Sequence, residues 1–292
     1  MDEVAILGVG MHPWGKWGRS FTEYGVHAAR EALADADIDW NQVGFVSGAI
    51  TVRCGYPGYV AGSTFARALG FNGAQVASSY AACASGVTAL SVARGQILSG
   101  ACDVAIVVGA DTTPKGFLAP SEGERPDDTD WLRFHLVGAT NPVYFALHAR
   151  RRMALYGATP HDFAMVKAKN SRHGVHNPNA RYPKEYNVED VANSPVVSDP
   201  LRLLEICATS DGGAALVVSS MDYARSKGIT DPVRVAGLST VTPTYPDTVI
   251  DLPYLATDSA AAVELPPLGF KESIGEQVYT EAGMGPEDVD VA

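Results

Sequence analysis

A layered α/β fold is what this sequence predicts, from three features: short apolar runs bounded by glycine, helical periodicity between them, and the regular alternation of the two. Strands buried on both faces read as nearly continuous apolar runs, and several segments here have that character. With 292 residues and 46% hydrophobic content, the chain is long enough for one large domain or two closely packed ones.

The first element is a short strand over Val4–Val9, flanked by glycine. After a loop, Ser20 and Glu23 have the spacing of a capping box, and Val26, Ala29, Leu33 and Ala36 fall on one face of the helix that follows. Val43–Ile50 reads as a second strand, 60–69 as a helix and Gln75–Ser78 as a third strand. A helix beginning near Cys83 runs to Ser99-Gly100, ahead of an apolar central strand over Asp103–Gly109. From Asp111 to Pro200 the alternation gives way to an excursion rich in Pro, Asn, Asp and Arg, with helices expected over Val143–Tyr156 and from His161 to Arg172. An insertion of that length is usually functional. Strand character returns at Ala214–Val218 and at Val233–Leu238.

The segment 33–46 aligns without gaps against 279–292, and a glycine-ended strand precedes each helix. Two generic helix-to-strand junctions that happen to match would explain this. Otherwise the chain holds an internal duplication whose second copy begins near Val233 and stops after one strand and one helix.

Net charge of −11 and a pI near 5.0 disfavour a nucleic-acid binder, whose footprint is normally basic. No uninterrupted apolar stretch is long enough for a spanning helix, and the start lacks the basic residues of a signal peptide, so a cytoplasmic protein is expected. Cys54, Cys83, Cys102 and Cys207 lack paired spacing, which suits a reducing compartment better than a disulfide framework or a zinc site. No metal is expected: His173 and His176 have no third ligand nearby and read as loop hydrogen-bonders.

The stretch Ser79-Tyr80-Ala81-Ala82-Cys83-Ala84-Ser85-Gly86 carries the chemistry. It places Cys83 between a strand and the first turn of a small-residue helix, where unpartnered N–H groups and the helix dipole stabilise a thiolate. Residues 87–93 are apolar or small almost all round, which predicts a helix buried in the domain and a cysteine facing a pocket. The bland alternative is an inert buried thiol, the usual fate of a free cysteine. Cys102 and Cys207 border strands and read as that kind of packing residue. Gly8-Val9-Gly10 begins like a dinucleotide fingerprint but lacks the third glycine, so it reads as a strand end. Asp211-Gly212-Gly213 reads as a tight turn. Trp14 and Trp17 either pack on the core or mark a contact with a partner.

Cys83-Ala84-Ser85-Gly86, Asn177-Pro178-Asn179, the run 199–204 and Cys207-Ala208-Thr209-Ser210-Asp211-Gly212-Gly213-Ala214 together resemble the thiolase superfamily, in its sterol-carrier-protein-type branch, also called non-specific lipid-transfer thiolases. The resemblance spans essentially the whole chain. It implies two related α/β halves in a layered αβαβα arrangement with an inserted loop domain, the second half being incomplete here. Residues 1–232 would form the first half, with 112–200 as the loop insertion, and 233–292 the start of the second.

It further implies that Cys83 accepts an acyl group from a CoA thioester or a 3-ketoacyl-CoA, that coenzyme A enters only as part of the substrate, and that no cofactor is permanently bound. The Cys83 N–H is a candidate donor to the oxyanion formed on the way. Arg150, Arg151 and Arg152, with Lys167, Lys169 and Arg172, are either a solvated helix face or a grip on the phosphates of CoA. A homodimer is implied. The family's catalytic His and second Cys fall in the latter part of the second half and are not found before Ala292, which is expected of a truncated sequence. Three activities fit the resemblance: acyl transfer through Cys83, an aldolase of sterol side-chain CoA thioesters working with an OB-fold (DUF35-type) partner, and a non-catalytic lipid carrier.

Overall fold

The computed structural model describes residues 3–51, 60–113, 140–242 and 270–291, so Cys54 lies outside the described residues. The chain divides into two compact units: Met1–Thr113 with Asp211–Ala292, and Pro114–Ser210.

In the first unit, strand β1 (Val4–Gly15) leads to helix α1 (Phe21–Asp35), strand β2 (Phe45–Ala49), helix α2 (Ala61–Leu69), strand β3 (Gln75–Ser79), helix α3 (Ser85–Leu98) and strand β4 (Val104–Asp111). The second unit holds helices α4 (Asn141–Tyr156), α5 (Pro160–Gly174) and α6 (Val188–Ala192), and a small hairpin of β5 (Val196–Ser198) and β6 (Leu201–Arg202). The chain then returns to the first unit with β7 (Asp211–Ser220), α7 (Met221–Ser226), β8 (Val233–Val235) and α8 (Phe270–Ala282).

One six-stranded sheet organises the first unit, in the order β3-β2-β4-β7-β1-β8. Strands β2, β3 and β4 are parallel, while β7 runs antiparallel to both β4 and β1. The sheet is therefore mixed, and its apolar strands serve both kinds of neighbour. Two apolar clusters cover its faces. Phe21, Tyr24, Phe65, Ile106 and Val217 centre one, beneath α1 and α2; Phe45, Ala89, Ala93, Ala105 and Val218 centre the other, beneath α3. Helix α1 starts at the expected place: Ser20 accepts the Glu23 amide at 3.3 Å and the Glu23 carboxylate accepts the Ser20 amide at 2.9 Å.

Four expectations are corrected. Strand β1 runs on to Gly15, because Gly8 and Gly10 lie within it rather than at its end. A Cβ on Gly8 would stand 2.4 Å from the carbonyl oxygen of Ala32, so these glycines let α1 lie against the strand. Asp211-Gly212-Gly213 opens β7 instead of forming a turn; a Cβ on Gly212 would meet the Trp14 ring at 2.6 Å and one on Gly213 the Tyr24 backbone at 2.8 Å. Helix α3 is not buried all round: among the described residues it buries only Ser85, Ala89, Ala93 and Ile97, a single stripe at four-residue spacing laid on the sheet, with Val87 and Leu98 exposed. Cys207 is exposed, whereas Cys102 is partly buried and its thiol is pushed up by burial and by the neighbouring Asp103 charge.

The repeat has a structural counterpart. Helix α1 and helix α8 each give way to a residue with positive φ, Asp37 (50°) and Gly283 (66°), and then to a 3-10 turn, Trp40–Gln42 and Pro286–Asp288. The Ile38 amide reaches back to the Leu33 carbonyl, and the Met284 amide to the Tyr279 carbonyl, each at 3.1 Å. In both places a carboxylate near the end of the helix accepts a strand-side amide at 2.9 Å: Asp35 from Val9, and Glu281 from Leu238. Gly237 lies nearly as close to α8 as Gly8 does to α1, its Cβ position 2.6 Å from the Val278 carbonyl oxygen. The pairs Leu33/Tyr279, Asp35/Glu281 and Asp37/Gly283 are those that the gapless alignment predicts.

Candidate active site

The parallel strands β2, β3 and β4 end on one rim of the sheet, the edge where α/β folds generally place their ligands. Thr51, Cys83 and Asp111 follow or close these three strands. After β3 the chain turns sharply. Ala82 has φ of 47°, in the left-handed region where an L-residue pays roughly 1–2 kcal/mol, and a 3-10 turn over Ala82–Ala84 feeds directly into α3. Cys83 sits in this turn and is exposed. Strained single residues of this kind cluster at functional sites.

The turn is fastened by one buried side chain. Ser85 is 4% exposed. Its hydroxyl accepts the Ala81 amide at 2.9 Å and lies 2.7 Å from the Ala82 carbonyl and 3.2 Å from the Ile50 carbonyl, either of which takes its proton. One step further, the Thr51 amide and hydroxyl donate to Asp111 at 3.1 and 2.9 Å. Burial raises the Asp111 carboxyl above its ordinary value, against the Thr51 hydrogen bonds that favour its ionised form.

Asp211 makes a second clasp on the same sheet. It is 7% exposed and accepts from Lys16 Nζ and from the Thr113 amide, both at 2.9 Å. Burial opposes its ionisation, but the Thr113 amide and the Lys16 ammonium together hold its carboxyl below the ordinary value. Lys16 also donates to the Thr113 carbonyl, so the end of β4 is tied to β1 and β7. Sequence reasoning singled out neither Ser85 nor the carboxylates of Asp111 and Asp211 as site residues. The signal lay in the sequence only as Ser85 two residues after the cysteine and as an aspartate bounding each strand.

The basic stretches belong to the second unit. Arg150 is ion-paired with Asp199, and Arg152 stacks over the Tyr156 ring with 5.6 Å to its centroid; Arg150, Arg151 and Arg152 are all exposed. Lys169 and Arg172 line a cavity of about 550 Å³ between α5 and residues 185–188. Lys167 and Lys184 lie 5.5 and 4.9 Å from the Tyr186 ring centroid beside it. His173 is in the last turn of α5 and His176 just beyond it, both exposed. Among the described residues no group of three or more His, Cys, Asp or Glu side chains is placed to hold a metal ion, and no helix is long and apolar enough to cross a membrane.

Residues 4–222 match the family model of the thiolase N-terminal domain. The chain belongs to the thiolase superfamily. Benzoylsuccinyl-CoA thiolase subunit BbsB of Thauera aromatica is 33% identical over 99% of this chain and 70% of that protein. Sterol carrier protein 2 of Gallus gallus is 29% identical over 99% of this chain, which spans 52% of its length. Among solved structures, the Ltp2-ChsH2(DUF35) aldolase superimposes with a TM-score of 0.77 at 26% identity, covering 99% of this chain and 72% of that one. These relatives support the sterol-carrier-protein-type branch of the superfamily. The α/β architecture read from the sequence agrees with them.

Proposed function

We propose that this chain belongs to a thiolase-type acyltransferase that acts on acyl-CoA or 3-ketoacyl-CoA thioesters of lipid or steroid type, with Cys83 as the acyl carrier. The observation that carries this reading is the exposed Cys83, presented on a left-handed turn at the strand rim within the stretch that matches the family. The Cys83 sulfur attacks the C3 carbonyl of a 3-ketoacyl-CoA, and the C2–C3 bond breaks. C2 takes up a proton and leaves as acetyl-CoA, while the shortened acyl group stays on sulfur as a thioester. A second CoA thiol then takes that acyl group, returning Cys83 to its starting form. Transfer of the acyl group from Cys83 to CoA exchanges one thioester for another of similar energy, while attack on the C3 carbonyl needs stabilisation of the intermediate oxyanion; the Cys83 amide is the candidate donor.

The phosphates of CoA are assigned to Arg150, Arg151 and Arg152 and to Lys169 and Arg172 beside the cavity in the second unit. The segment from Val233 is read as the start of a second α/β half, supported by the junction it shares with α1. A homodimer through the β3 edge is consistent with exposed Val76 on that strand.

An aldolase reading is favoured by one observation, the TM-score of 0.77 to the Ltp2-ChsH2(DUF35) aldolase. In that case the protein splits a β-hydroxyacyl-CoA without an acyl-enzyme and needs an OB-fold partner of DUF35 type. Intact-mass measurement after incubation with a 3-ketoacyl-CoA separates the readings. An adduct that Cys83→Ala abolishes supports acyl transfer. No adduct, with cleavage of a β-hydroxyacyl-CoA once the partner is added, supports the aldolase; binding without either outcome leaves a lipid carrier.

A further inference from the structure

We propose that Ser85 is a positioning residue for Cys83, its hydroxyl acting as the clasp that keeps the left-handed turn at Ala82 closed and the Cys83 sulfur presented to substrate. This rests on Cys83 being the nucleophile. An alanine at φ 47° does not hold that conformation by itself, since the left-handed region is disfavoured for any residue with a Cβ. Something must fasten both sides of it. The Ser85 hydroxyl accepts the amide of Ala81, on one side of the turn, at 2.9 Å, and lies 2.7 Å from the carbonyl of Ala82 itself. The Ile50 carbonyl at 3.2 Å is the alternative acceptor of the same proton and lies just past the end of β2, next to Thr51, which is held by Asp111.

A helix N-cap bonds forward to later amides, whereas Ser85 begins α3 and bonds backward to the turn. The hydroxyl therefore does little for the helix and much for the residue before the cysteine. Ser85 itself is 4% exposed, and its bonds to Ala81 and Ala82 are part-buried, so water competes with them less than in an open turn. Ser85 touches no substrate in this role; it acts through the backbone that bears Cys83.

The test compares alkylation of Cys83 by iodoacetamide with that of Cys207, an exposed thiol in the same molecule, by peptide mass spectrometry. In Ser85→Ala the Cys83 rate is expected to fall about five- to tenfold while the Cys207 rate is unchanged, and Ser85→Thr, which keeps the hydroxyl, restores most of it. Equal Cys83 rates in wild type and a folded Ser85→Ala overturn the inference. Failure of Cys83 to outpace Cys207 in the wild-type protein sinks the nucleophile reading instead, so the two failures are distinguishable. If Ser85→Ala does not fold, amide exchange in the wild-type protein decides: a protected Ala81 amide supports the clasp, and one that exchanges like open loop overturns it.

Discussion

Gly10 and Ala28 meet so closely that a Cβ on the glycine would stand 2.1 Å from the alanine carbonyl oxygen. The obstacle is helix backbone, which has no rotamer to turn aside. Gly10→Ala is therefore expected to destabilise the protein by about 2–3 kcal/mol, at the upper end of overpacking costs, because β1 and α1 must separate. Gly237→Ala, with its Cβ 2.6 Å from the Val278 carbonyl oxygen, is expected to loosen α8 in the same manner. Urea denaturation reads the first, and hydrogen exchange of α8 amides the second. Unchanged midpoints and exchange rates would contradict the packing described.

Asp211→Asn is expected to cost about 1–2 kcal/mol at pH 7 by weakening the bonds from Lys16 and Thr113. The Asp211 carboxyl is held below its ordinary value of 3.8, with burial opposing and the Thr113 amide and Lys16 prevailing. Its stabilisation is thus fully present above that value and is lost as the pH falls through the lower folded-state value. Urea denaturation from pH 7 down to 3 should show the gap between wild type and variant narrowing only at the acid end.

Asp111 behaves in the opposite sense. Burial raises its carboxyl above 3.8, so the folded state favours the protonated form and stability declines as the pH rises from that value to the folded one. Asp111→Asn keeps a carbonyl to accept the Thr51 bonds and removes the buried charge. The variant is expected to match or exceed wild-type stability at pH 7 and to lose that advantage in acid. A variant less stable than wild type at both ends of the range would refute this.

How far the sequence predicts the structure depends on how local the cause is. The capping box at Ser20 and Glu23 and the apolar run of β4 act within a few residues, so both were legible. The full length of β1 was not, because Gly8 and Gly10 suggest a strand end until α1 is placed against them. Gly212 and Gly213 misled in the same way: their lack of side chains makes room for Trp14 and Tyr24, which are remote in sequence. At the candidate site Cys83 was found from its position at a helix start. Ser85, Asp111 and Asp211 were not, since a hydroxyl or carboxylate shows its partners only once Ala81, Thr51 and Thr113 have been brought to it.

The shared junction also gives the molecule a built-in control. Asp35 and Glu281 capture equivalent amides, yet among the described residues Glu281 is additionally ion-paired to Arg94 of α3 at 2.5 Å while Asp35 holds the Val9 amide. Removing each carboxylate in turn therefore weighs the same backbone contact in two settings, one anchored by a neighbouring helix and one not. The difference between the two measures what lateral support adds, with solvent and temperature held in common by a single polypeptide.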